Sequence, residues 1–351
     1  MILAIDASRA NKYEKTGVEW YSYFLIQEFK KIIPVETKVI LYSPSSLRED
    51  LLPLPQNWES RVLRWPFPFW TLKRLSLEML FHKPDILFVP SHIIPFFSPK
   101  NTFTTIHDIG FKRFPECYRT LQKKILEFGI KRAKKAKKIF APSEFTKKEL
   151  VDICKIPENK IIVTHLGYND VYKKTENNEP SIKKPYLFYI GRLEKKKNIE
   201  NIIKAFKLFS KDNPDYTLIL AGNKNPKFNI PKSTPKIQTL GWVSNENATA
   251  LMANAEIFLY PSLYEGFGIP ILEAFACGTP VITSDRASMP EIAGDAALLV
   301  NPDSPEEIKN TILKIINNYA LKKSLIEKGY NQCKKFNWQK CAEKTLNEIL
   351  K

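Results

Sequence analysis

Residues 261–284, PSLYEGFGIPILEAFACGTPVITS, are the stretch on which the fold turns. The run EIFLYPS leading into it is β-branched and aromatic, GFG is a flexible bend, IPILEAFACG has helical spacing, and PVITS is a second buried run. Strand, loop, helix and strand in that order describe one parallel βαβ step. The loop then lies at the carboxyl end of a strand, the edge at which open α/β sheets bind ligands. Gly266 and Gly268 permit positive φ and close backbone approach, so amide N–H groups can face a ligand. A helix starting near Gly268, with Pro270 in its first turn, points its unpaired N–H groups and positive dipole end at the same spot. Glu265 precedes that helix and Glu273 lies within it, about 7–8 Å along the axis from Gly268. This separation is too wide for two carboxylates sharing a proton. It suits two hydroxyl-bearing rings flanking a diphosphate held at the helix tip.

The glutamates stand eight positions apart (273 minus 265) within E-G-F-G-x-P-x-x-E-A. This pattern resembles the signature of the retaining glycosyltransferases of the GT-B fold, family 4 in particular. Two further segments are similar to that family. YLFYIGRLEKKKN matches its G-R-L-x-x-x-K-N pattern through Arg192 and Lys197, and TIHDIGFKRFPE places His107 at a strand end. The closest flavour is the mannosyltransferase-like branch.

Composition sets the frame. At 351 residues the chain exceeds the length at which one core stops growing, so two domains are expected, and 44% hydrophobic residues suffice for both. Five cysteines without a C-x-x-C pair argue against a disulfide framework or zinc site and fit a reducing compartment. MILAIDASRA reads as a first strand rather than a signal peptide, and no apolar run is long enough to span a membrane. The net charge of +17 favours anionic partners without naming one.

Along the first half, MILAIDA, TKVILY, PDILFVP, NTFTTIHD, KIFAPS and KIIVTHLG read as buried strands. Helical patterns separate them at 17–32, 69–82, 117–135 and 143–154, an alternation that means parallel β with crossover helices. Gly17 opens the first helix at a phosphate-approach position, yet no G-x-G-x-x-G follows any strand, so dinucleotide binding is not supported. Asp108 is expected to cap the turn after His107. His82, His92 and His165 stand apart from any constellation and read as structural. Leu126, Ile130, Ala133 and Ala136 form the apolar stripe of a basic helix that reads either as a solvated face or as a patch for anionic lipid headgroups. Trp65, Phe67, Phe69 and Trp70 read either as an apolar lip beside it or as a packed loop. A polar linker, Tyr172 to Pro185, opens the second half, which continues with YLFYIG and YTLILAG as strands, a turn at Gly241 and helices capped by Ser244 and Ser304.

The resemblance implies an α/β GT-B fold: two Rossmann-like domains, 1–172 on the acceptor side and 186–335 for the nucleotide-sugar, with parallel sheets facing a cleft. A C-terminal helix, 336–351, would cross back to the first domain, with Trp338 at the bend. It implies Glu265 and His107 as catalytic-site residues at the sugar. Donor contacts would come from Gly17, Arg192, Lys197, Val243, Gly266, Phe267, Gly268, Leu272 and Glu273, the last on ribose. No cofactor and no metal are expected, there being no D-x-D motif or ligand cluster. The partners implied are a nucleotide-diphosphate sugar, GDP-mannose before UDP-sugars, and a glycan or lipid-linked acceptor, in the cytoplasm or at the inner face of a membrane. Replacing Glu273 or Lys197 by alanine is expected to weaken donor binding with far less effect on folding. A sugar-nucleotide-binding protein without turnover would keep the same residues. A nucleic-acid partner is suggested only by charge and is not expected.

Overall fold

The computed structural model describes residues 1–173, 182–226, 228 and 233–351. The middle of the expected linker, 174–181, therefore lies outside the described residues. Among them the chain divides into two compact units, one made of residues 1–113, 118–166 and 338–351 and the other of 114–117 and 167–337. The division falls after Leu166 rather than at 172. Tyr168 and Tyr172 explain it: the Tyr168 hydroxyl reaches the Cys333 thiol, and Cys277 Sγ donates to Tyr172 O at 3.4 Å, all within the second unit.

The first unit is built on β1 (Ile2–Asp6), β2 (Lys38–Ser43), β3 (Trp58–Val62), β4 (Ile86–Val89), β5 (Asn101–Thr105), β6 (Lys138–Ala141) and β7 (Ile161–Val163). Every pairing is parallel, in the order β3-β2-β1-β4-β5-β6-β7. The second holds β8 (Tyr186–Ile190), β9 (Thr217–Ala221), β10 (Ile237–Gly241), β11 (Ile257–Tyr260), β12 (Val281–Ser284) and β13 (Ala297–Val300). These too are parallel, in the order β10-β9-β8-β11-β12-β13. Central strands such as β4, β11 and β12 are buried at every residue, as a sheet covered on both faces requires. In each sheet the chain runs outward from a central strand and then returns to that strand's other side. The switch points lie at β1/β4 and β8/β11.

The sequence reading missed β3, β10 and β13, all of them edge strands. WESRV and IQTLG mix buried with exposed positions and carry polar residues within them, while ALLV is apolar but only four residues long and half-exposed at its centre. The basic helix is shorter than its stripe suggested, spanning Thr120–Ala133. Ala136 is buried beyond its end, in the turn that leads into β6.

The last helix, Trp338–Leu350, belongs to the first unit. Its buried face, Trp338, Cys341, Ala342, Thr345, Leu346 and Ile349, has the 3–4 spacing of an amphipathic helix. Trp338 stacks on Phe24 with ring centroids 5.0 Å apart, and Phe24 lies on the helix Gly17–Ile32.

Candidate active site

In the second unit the loops after β8 and β11 are bolted together. Gly191 and Gly222 make the turn after β8 possible. A Cβ on Gly222 would stand 2.0 Å from Gly191 O, so only glycine lets the ends of β8 and β9 approach this closely. Lys195–Lys197 then form a 3-10 turn that ends on Asn198, buried and left-handed at φ 62°. The Asn198 amide donates to Pro261 O at 3.0 Å and Pro302 O at 2.6 Å, and Leu263 N–H donates to Lys196 O at 2.8 Å. These bonds bring Lys197 to Glu265. Its ammonium donates to the Glu265 carboxylate and, at 3.2 Å, to the Tyr260 hydroxyl. Both partners of the ion pair are largely buried, with side chains 13% and 11% exposed.

The loop from Glu265 to Gly268 is oriented by Ser288, whose hydroxyl lies 3.0 Å from Glu265 O and 2.7 Å from Phe267 O. A peptide's N–H points opposite its C=O, so the amides of Gly266 and Gly268 face away from Ser288. Gly268 caps the helix Ile269–Ala276 at φ 104° and ψ 48°; Gly266 does not adopt positive φ. The amides of Gly268 and Ile269 donate to no acceptor among the described residues. They are free donors at the positive end of a helix, where an anion is favoured.

Glu273, one turn further on, is half-buried, and burial alone pushes its carboxyl up to about 8. No ion pair or hydrogen bond holds that carboxyl among the described residues. Arg192 is exposed, its Nε 3.7 Å from the buried Glu194 carboxylate. It shares a loop with Lys197 but does not join the ion pair with Glu265. Phe267 is buried edge-to-face on Phe336 at 5.8 Å, and Val243 is half-buried after the irregular end of β10. The Leu272 side chain is wholly inside the protein, so only its backbone remains for a ligand.

In the first unit Gly17 is the first residue of the helix Gly17–Ile32, behind a Thr16–Glu19 capping box, with nothing within 4 Å of where a Cβ would sit. His107 follows β5, half-buried, with its Nε2 3.4 Å from Pro90 O and the Tyr21 ring edge-on at 4.7 Å. Burial, and then the neighbouring His92, lower its imidazole to about 3. It is therefore a neutral hydrogen-bonding group at ordinary pH rather than a cation. Asp108 accepts from Gly110 N–H at 2.7 Å, as its capping role requires.

His92, which reads from the sequence as structural, has its ring 5.6 Å from that of His107. The constellation arises because β4 and β5 are neighbours in the sheet, which no local spacing reveals. Tyr260 and Ser288 were missed for the same reason. The described residues bring together no group of three His, Cys, Asp or Glu side chains able to hold a metal, and contain no helix long and apolar enough to cross a membrane.

A family model for Glycosyltransferase Family 4 matches residues 16–171, and one for Glycosyl transferases group 1 matches residues 172–332. The O-antigen chain mannosyltransferase B of Escherichia coli is 27% identical over 98% of this chain and 98% of its own. Among solved structures, the sucrose-phosphate synthase of Thermosynechococcus elongatus superposes with a TM-score of 0.74 at 17% identity, covering 100% of this chain and 98% of that one. Anabaena HepE in complex with UDP-glucose does so at 0.71 and 16%, covering 99% of each. At these identities the structural matches speak for the fold. With two parallel Rossmann-like sheets, each with a switch point, and family models matching from residue 16 to residue 332, the chain belongs to the family 4 glycosyltransferases and has their GT-B fold.

Proposed function

We propose that this glycosyltransferase is a retaining enzyme that moves mannose from GDP-mannose to a glycan or lipid-linked saccharide, without a metal. The observation that carries the reading is the meeting of Lys197, Glu265 and the free amides of Gly268 and Ile269 at the β8/β11 switch point. The diphosphate rests on those amides, with Lys197 and Arg192 supplying positive charge. Glu265 and the neighbouring amides grip the sugar, and Glu273 takes the ribose hydroxyls. As the bond from the anomeric carbon to the β-phosphate oxygen breaks, negative charge grows on the leaving group, where fixed cations and amides stabilise it. The acceptor hydroxyl forms its bond to the anomeric carbon on the same face, and its proton passes to the departing phosphate. His107 serves the acceptor side, as a neutral hydrogen-bonding group.

Mannose is favoured by the kinship with a mannosyltransferase, while the structural match holding UDP-glucose keeps a uridine donor as the rival. A panel of nucleotide sugars decides between them. A true donor at one hundred times its dissociation constant adds about 2.7 kcal/mol to stability, and it releases nucleoside diphosphate only when acceptor is present. Stabilisation without release would mean a binding protein. Activity undiminished by a chelator is expected, and its loss would overturn the metal-free assignment.

We further propose that the enzyme works in the cytoplasm, at the anionic inner face of a membrane, resting on its first unit. The helix Trp70–Phe81 exposes Leu77, Leu80 and Phe81, the adjoining loop exposes Phe96 and Phe97, and the basic helix exposes Leu121. Phe96 N–H donates to Ser76 Oγ at 2.6 Å, and Arg132 lies 5.4 Å over the Phe96 ring, so the loop packs against both helices beside these exposed apolar side chains. Sedimentation with phosphatidylglycerol vesicles, but not phosphatidylcholine ones, is expected. Equal recovery with neither lipid would remove the membrane from this reading.

A further inference from the structure

Phe114–Cys117 clusters with the second unit, although the residues on both sides of it belong to the first. Its contacts converge on the loop after β8. Glu116 Oε1 is 2.9 Å from Lys195 Nζ. Asn225 Nδ2 donates both to Cys117 O at 3.3 Å and to Glu194 Oε2 at 3.1 Å. The Cys117 thiol accepts the backbone N–H of Lys196, and the Phe114 ring is 6.1 Å from that of Tyr264, the residue before Glu265.

Glu194 is the hub of these contacts. Only 4% exposed, it faces Arg192 Nε at 3.7 Å and Lys196 Nζ at 3.6 Å. A buried carboxylate stays where its hydrogen bonds put it, because leaving them means losing partners it cannot replace with water. Asn225, equally buried, is the neutral group that fixes it, and the same amide nitrogen is anchored on Cys117 O. A brace that served folding alone would have no need to end on the carboxylate that holds two cations of the phosphate loop.

We propose that Phe114–Cys117 is a working part of the donor site, and that Asn225 and Glu194 are positioning residues that set where Arg192 and Lys196 meet the donor's diphosphate. This rests on reading the loop after β8 as the diphosphate site. Asn225→Ala removes both hydrogen bonds and is expected to raise the dissociation constants of GDP and UDP, and the donor KM, by about tenfold. The acceptor KM and the kcat at saturating donor stay near wild type, and Asn225→Gln recovers part of the loss.

Glu116→Lys supplies a second test at an exposed site where folding is not at risk. Simple attraction would make the added positive charge tighten diphosphate binding; positioning makes it weaken binding by at least about twofold, with the swap Glu116→Lys/Lys195→Glu restoring it. Should Asn225→Ala fail to fold, this sign decides. Wild-type binding of a nucleoside diphosphate that Asn225→Ala leaves within twofold, or that Glu116→Lys strengthens, would overturn the inference alone. A wild type that binds neither GDP nor UDP would overturn the donor reading and the inference together.

Discussion

Lys197 and Glu265 are a largely buried ion pair, and this changes what a substitution there does. Removing one partner of such a pair leaves an uncompensated buried charge, at a cost of about 3–5 kcal/mol. Lys197→Ala is thus expected to lose donor binding and thermal stability together, whereas the sequence alone suggested a clean functional defect. Differential scanning calorimetry beside a donor titration separates the two losses. Glu273→Gln should behave differently. With the folded carboxyl at about 8 and the unfolded one near 4.5, native protein holds a proton that unfolded chain has released throughout that window. Stability therefore falls as pH rises from about 4.5 to about 8. Glu273→Gln should flatten that fall and raise Tm at pH 8 while weakening nucleotide affinity; an unchanged pH profile would contradict the assignment. The two glutamates, Arg192 and Lys197 were legible in the sequence because their spacing is local. Ser288 and His92 were not, since each meets its partners only through chain segments distant in sequence, and Tyr260 was not because its contact with Lys197 depends on the pairing of β8 with β11.

At the scale of elements, the loops are placed by a few backbone approaches that glycine alone permits. Gly222→Ala would drive a methyl into Gly191 O, at 2.0 Å from backbone that cannot rotate aside. Loss of several kcal/mol is expected from the overpacking together with the strained φ of 126°, read as a lower urea midpoint. Any folded remainder should bind nucleotide poorly because Arg192 has moved. A variant with wild-type midpoint and affinity would show that this close approach is not needed. The central strands and the first helix were readable because apolar runs and 3–4 spacing survive burial. The edge strands β3 and β10 were unreadable because one side of each meets water and polar residues interrupt the pattern, and β13 because a run of four apolar residues is too short to mark a strand.

At the scale of the molecule, the first unit is closed by a helix that follows the whole of the second. Trp338→Ala removes the ring stacked on Phe24 and should cost about 3–5 kcal/mol, falling on the first unit. Limited proteolysis would report it as earlier cutting within 1–166 than within 167–337. The order of the units was legible from composition and linker polarity. The return of Trp338–Leu350 came only by likeness to the family, since nothing in an amphipathic pattern states which sheet it covers.

That return has a consequence for synthesis on the ribosome. Phe24 and Tyr21 emerge early, but the helix that shelters them is translated only after residues 167–337. At ordinary elongation rates this leaves an apolar seam open for tens of seconds, on the order of 15–60 s. During that interval the nascent first unit depends on a chaperone, or on a neighbouring polypeptide that should not be there.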